Sequence, residues 1–227
     1  EAETVCFTET ANSKHSAKEK RMDREKIQES NYDKVYGQFR QWFLESDKED
    51  TAVKLGLELS ERYMLVPFFG EICKVDLETG DIKGEGVREL SVVEKLTIMH
   101  HLHYYQAEAR EAVPRVPFRE IREAAVFEQA YVRSALEPLK KAFAGCPEKL
   151  LRSGIRMGGR QEKYGDVSVC IPAFPKISLT YIFWDGDEEF PPSANILFPE
   201  TIAMWTHPES VPTLAQLGTQ RLIEGAA

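Results

Sequence analysis

Four carboxylates crowd into five positions, Asp185, Asp187, Glu188 and Glu189, with Gly186 between the first two. An oxygen-rich loop of this kind suits a hard cation, and paired carboxylates can act as acid and base. The spacing lacks the glycine and terminal glutamate of a helix–loop–helix calcium loop. A solvated turn that bonds its own backbone therefore competes with both. The second cluster is histidine, at His100, His101 and His103. In a helix His100 and His103 share a face at i, i+3, and His101 points away. Val92, Leu96, Met99 and His103 fall in one stripe, which predicts His103 on the apolar side. There it is either a hydrogen-bonded core residue or an imidazole ligand to a transition metal.

Tyr104, Tyr105, Phe118, Tyr181, Phe183, Trp184 and Trp205 supply aromatic surface for a core or for a planar ligand. Other chemistry lacks its signature. Gly158-Gly159 stands without a Walker lysine or a G-x-G-x-x-G, and neither G-x-S-x-G nor H-E-x-x-H occurs. Cys6, Cys73, Cys146 and Cys170 are far apart. No iron–sulfur cluster or structural zinc site is expected from this chain alone. No set of acid, base and nucleophile is complete, so an enzyme ranks below a binding protein.

The acidic knot follows an apolar run, Ile177–Trp184, in which Ile177, Leu179, Tyr181 and Phe183 alternate with Ser178, Thr180, Ile182 and Trp184. Period two with β-branched and aromatic residues predicts a strand. Asp185-Gly186 turns it, and Pro191-Pro192 delay the next strand to about Asn195. Asp166–Pro172 predicts the partner strand of a hairpin. Upstream, Met64–Val66, Ile72–Val75 and Asp81–Lys83 predict a small β-meander. Ser91-Val92-Val93-Glu94 is a capping box opening the histidine helix, expected to reach about Ala109. Further helices are expected from Asn31, over Thr51–Leu59, over Ala124–Phe143 with a kink at Pro138, from Pro147 to Ser153, and over Pro212–Glu224. Val116–Ile121 is expected to be extended or a short turn. The order predicts an α+β fold: an antiparallel sheet from the N-terminal meander and the C-terminal hairpin, packed with several helices. Residues 1–29 are expected to be a polar tail and 30–227 a single domain.

At 227 residues, 42% hydrophobic and 29% charged, the chain can bury a sizeable core. Its net charge of −8 argues against nucleic acid as a partner. No apolar run approaches the roughly 18 residues of a membrane span. With no basic and apolar leader at its start, the chain is expected to be cytoplasmic, its cysteines reduced.

Three stretches carry a resemblance: PFFGEICKVDLETGDI, LHYY with the nearby VPFREI, and FPKISLTYIFWDGDEEFPPSANILF. They resemble the uncharacterised domain-of-unknown-function family 3786 of anaerobic bacteria and archaea, from about Asn31 onward. The resemblance implies a setting in anaerobic cofactor metabolism, beside iron–sulfur modules and corrinoid-dependent one-carbon enzymes. This chain departs from the cluster-bearing versions, because it lacks their grouped cysteines. The expectation is a cofactor-binding or cofactor-handling accessory protein for a corrinoid such as cobalamin, or for haem. His103, Tyr104, Phe118, Trp184, Asp185, Glu188 and Glu189 would line its site. The alternative is a protein-interaction module that docks on a redox or methyl-transfer partner through the acidic loop.

Overall fold

The computed structural model describes residues 31–86, 88–106 and 114–226. The histidine helix ends at Tyr104, where Tyr105 turns extended, rather than running on toward Ala109; the 1–29 tail and residues 107–109 lie outside the described residues. Helix α1, residues 31–45, lays Tyr36 and Phe43 into the core and packs Phe39 and Trp42 at its edge. Asp47 caps α2 (Lys48–Leu55) by accepting from the Asp50 amide. A meander follows: β1 (Glu58–Leu59), β2 (Tyr63–Phe68), β3 (Glu71–Asp76) and β4 (Ile82–Gly84), antiparallel and paired in that order.

The expected capping box is present: Ser91 accepts from the Glu94 amide and Glu94 returns to the Ser91 amide, opening α3 (Val92–Tyr104). After β5 (Arg115–Pro117) come two 3-10 segments, then α4 (Glu128–Tyr131), a π-helical turn at Val132–Leu136 and α5 (Glu137–Phe143). The π turn sits directly before Pro138, which has no N–H to give back to the preceding turn. Helix α6 (Pro147–Arg156) leads to β6 (Arg160–Gln161), β7 (Val167–Phe174), β8 (Ile177–Trp184) and β9 (Ser193–Pro199), and α7 (Ser210–Ala226) follows. The second sheet is antiparallel with order β5-β9-β8-β7-β6.

The fold is α+β, but the meander and the hairpin form two sheets rather than one. Both flanks of the β2–β3 hairpin are already hydrogen-bonded, to β1 and β4, and both flanks of β7–β8, to β6 and β9. No ladder among the described strands runs from one sheet to the other. One backbone bond, from the Phe69 amide to the Ala173 carbonyl at 3.2 Å, links the β2–β3 turn to β7. Helix α7 packs on β8: the Tyr181 hydroxyl donates to the Ala215 carbonyl at 3.2 Å. Phe39, Trp42, Tyr105 and Phe127 pack partly buried at the edge of this interior, and no helix among the described residues is long and apolar enough to cross a membrane.

Helix α7 leaves no room for a side chain at Gly218. A methyl group there would fall directly on the Tyr181 hydroxyl and 2.9 Å from the Phe69 ring. Both neighbours are buried, so neither can swing away. Gly218→Ala is expected to cost about 1–3 kcal/mol by overpacking, despite alanine's better helix propensity. A urea midpoint equal to or above wild type would contradict this contact.

Candidate functional site

Helix α3 sends its three histidines in two directions. The buried residues of the helix are Glu94, Leu96, Thr97, Ile98, Met99, His101 and Leu102, among them the i, i+3, i+4, i+7 row of Glu94, Thr97, Ile98 and His101 that an amphipathic helix turns inward. His101 continues that row and is fully buried. Its ring stacks on Phe174 at 4.0 Å between centroids. Its Nδ1 is 2.8 Å from the Trp205 carbonyl, which can only accept, so Nδ1 carries the proton. Burial, offset in part by the Trp205 bond, holds its pKa down to about 4. The apolar side of the helix therefore belongs to His101, and the stripe through Val92, Leu96 and Met99 brings His103 only to the margin.

At that margin His103 is half-buried. Its ring lies 4.3 Å from Trp42, 4.4 Å from Tyr104 and 5.3 Å from Phe39. Phe39 continues to His100 at 4.8 Å, and Tyr104 to His207 at 4.7 Å. His100 and His207 are 5.4 Å apart. Six rings thus form one surface patch with Tyr104, 36% exposed, at its outer side. His100 Nδ1 is engaged with Ser210 Oγ at 2.7 Å. Burial first, then the charges of His207 and His103, lower the His100 pKa to about 4. Burial lowers that of His103. These imidazoles are neutral at pH 7, the state that can ligate a metal.

His103 makes no hydrogen bond among the described residues, and its Nδ1 is buried without a partner. The same residues contain no group of three or more His, Cys, Asp or Glu side chains placed to hold a metal ion. The patch offers one imidazole and a set of aromatic faces. A metal whose other positions are filled by a macrocycle needs no more than that from the protein, so a corrinoid or haem fits the donor set and a bare transition-metal ion does not.

The other predicted site residues lie elsewhere. Phe118 is 2% exposed, stacked on Tyr131 at 4.3 Å, and belongs to the core. Ile177, at the start of β8, pairs with Phe174, the ring under His101, whereas Trp184 ends the strand. Seven residues of rise separate those ends by about 23 Å. His103 and Tyr104 are therefore together, and Trp184, Asp185, Glu188 and Glu189 form a second locus. In that loop the Asp187 carboxylate accepts from the Phe190 and Glu189 amides, both at 2.8 Å, and these bonds lower its pKa. Asp185 accepts from the Gly145 amide at 2.9 Å and donates its own amide to Asp166. Two of the four carboxylates thus cap backbone, while Glu188 and Glu189 face solvent. Trp184 and Phe190 beside them are 39% and 67% exposed.

Sequence reasoning passed over Phe39, Trp42 and His207 as site residues. The first two sit at i, i+3 on an amphipathic helix, where such pairs are ordinarily core. His207 is 104 positions from His103, and no spacing rule connects them.

A family model described as Domain of unknown function (DUF3786) matches residues 47–221. No curated protein and no solved structure matches the chain.

Proposed function

The chain belongs to the DUF3786 family, and from that footing we propose that it is a cofactor-handling accessory protein. Its ligand would be a corrinoid or another metallo-tetrapyrrole, bound at the ring patch through His103. The observation that carries this is the half-buried His103 imidazole, without a hydrogen-bond partner and bracketed by Trp42, Phe39 and Tyr104. The aromatic side chains would pack against a planar macrocycle, and the His103 imidazole would supply a nitrogen ligand to its metal. Histidine ligands in resident metal sites donate their second N–H to a carboxylate or carbonyl, which strengthens them. His103 Nδ1 has no such acceptor among the described residues. A ligand of that kind is weaker and more easily exchanged, which suits handing a cofactor on.

The test is a visible-absorption titration with hydroxocobalamin and with haemin. Wild type is expected to show the band shift of imidazole coordination, and His103→Ala to lose it. Asp187→Ala, at the other locus, should leave it unchanged. Because burial lowers the His103 pKa, the shift should persist somewhat below the ordinary histidine value of about 6.5 before protonation removes it. Binding that survives in folded His103→Ala would overturn the assignment.

A second reading rests on the acidic loop. Trp184 and Phe190 are large exposed aromatics rimmed by Glu188 and Glu189, the composition of an anchor inside a polar rim. It would suit docking on the basic face of a redox or methyl-transfer partner. Absence of any tetrapyrrole binding by wild type would put this reading first.

A further inference from the structure

A cavity of about 250 Å³ opens where the β2–β3 turn meets α6 and the end of α7. A neighbouring cavity of about 240 Å³, lined by Lys149 and Arg152, shares Arg156 and Gly225 with it. The groove is at the far end of α3 from the ring patch, since Glu94 is in that helix's first turn and His103 in its last. It does not depend on the tetrapyrrole reading.

The charge arrangement is uneven. Arg88 and Arg221 both grip Glu94, at 2.7 and 2.9 Å, and the Glu94 side chain is 4% exposed. That buried carboxylate compensates one of the two guanidiniums. The second carboxylate is Glu71, 2.9 Å from Arg221 and 3.7 Å from Arg88, but 46% exposed and free to leave. Arg221 is itself only 9% exposed, its Nε has no partner, and its guanidinium lies 5.0 Å over the Phe68 ring. Arg156 donates to the Gly225 carbonyl at 2.9 Å. Among the described residues neither Arg156 nor Lys149 has a carboxylate within ion-pair distance, and Arg152 reaches Glu148 only at 3.9 Å. Glu224 is the remaining acid on the wall. Five cations thus face fewer acids in a chain whose net charge is −8.

The backbone at the rim is strained. Phe69 has φ 50°, a left-handed conformation held by no other non-glycine residue among those described, and Gly70 follows at φ 83°. Positive φ at both positions is the geometry of a two-residue hairpin turn, which favours Asn-Gly. A side chain there sets Cβ against the following carbonyl oxygen, and the surrounding structure keeps the Phe69 ring on the cavity wall, 5.8 Å under Arg221. Residues held so against their preference cluster at ligand sites.

We propose that this groove binds a small organic anion, its phosphate or carboxylate group seated between Arg88, Arg156 and Arg221 in place of the Glu71 carboxylate. Planar guanidiniums bind such groups in a bidentate manner.

The test is thermal unfolding of the full chain in pyrophosphate and in citrate, each against sodium chloride at matched ionic strength. A saturable rise in Tm beyond the salt control is expected for one or both, because a native-state ligand stabilises by mass action. Pyrophosphate acting alone assigns a phosphoryl ligand, citrate acting alone a carboxylate. Glu71→Gln removes the internal competitor and should enlarge the response. Arg156→Gln alters an exposed side chain, should leave the fold intact, and should weaken the apparent affinity about tenfold or more. No rise beyond the salt control in wild type and Glu71→Gln, or an undiminished response in Arg156→Gln, overturns the proposal.

Discussion

Phe183→Ala is expected to lower the unfolding free energy by about 3–5 kcal/mol, while Asp187→Ala, four residues on, lowers it by less than about 1 kcal/mol. Phe183 is fully buried and sits in β8, opposite Val167 of β7 and Ala194 of β9. Truncating its ring removes apolar area from the core and leaves a cavity between strands pinned on both sides, which cannot collapse to fill it. Asp187 is exposed, and its acceptor bonds to the Glu189 and Phe190 amides can pass to water. Urea melts of the two variants measure the difference. Equal losses would mean that β8 is not the centre of its sheet.

The second large effect belongs to Glu94. Glu94→Ala is expected to cost about 3–5 kcal/mol, because it strands Arg88 and the buried Arg221 together. Glu71→Ala, removing the exposed partner of the same arginines, should cost under about 1 kcal/mol. Burial alone would raise the Glu94 carboxyl, but bonds from Arg88, the Ser91 amide and Arg221 outweigh it and hold the pKa at about 2, against an ordinary 4.5. A depressed carboxyl binds fewer protons in the folded than in the unfolded chain across that interval. Its contribution is complete above pH 4.5 and is lost as pH falls toward 2. Urea midpoints taken across this range should fall less steeply in Glu94→Ala than in wild type. A parallel decline would show that the carboxylate is not what the acid limb titrates.

Local signals were the ones the sequence made readable. Strand β8 runs from Ile177 to Trp184, because alternation, flanking turn residues and the later prolines all bear on the same eight positions. Ser91 and Glu94 announce the start of α3 through a bond pattern confined to four residues. What failed depends on partners distant in the chain. Whether two β regions join is decided by which flanks β1, β4, β6 and β9 occupy, and the two-residue strands β1 and β6 carry too little pattern to be seen. A stripe of three apolar residues places His103 near the buried side, but only Phe174 and Trp205 show that the buried histidine is His101. The ring patch joins α1, α3 and the segment before α7, and the anion groove joins Arg88, ahead of α3, with α6, α7 and a hairpin turn. Neither has a signature in any single stretch.

The inner strands β2, β3, β7, β8 and β9 are six to eight residues long, whereas the outer strands β1, β4, β5 and β6 have only two or three. An open strand flank is a template on which a second chain can continue the ladder, and brevity is one of the devices that deny it. Among the described residues each sheet carries such a stub at both sides, and each stub covers only part of its neighbour: β5 pairs with residues 197–199 of β9, and β1 with Met64 and Leu65 of β2. Strand addition is disfavoured where a stub lies, while stretches beyond it, such as residues 193–196 of β9, have no second strand partner among the described residues.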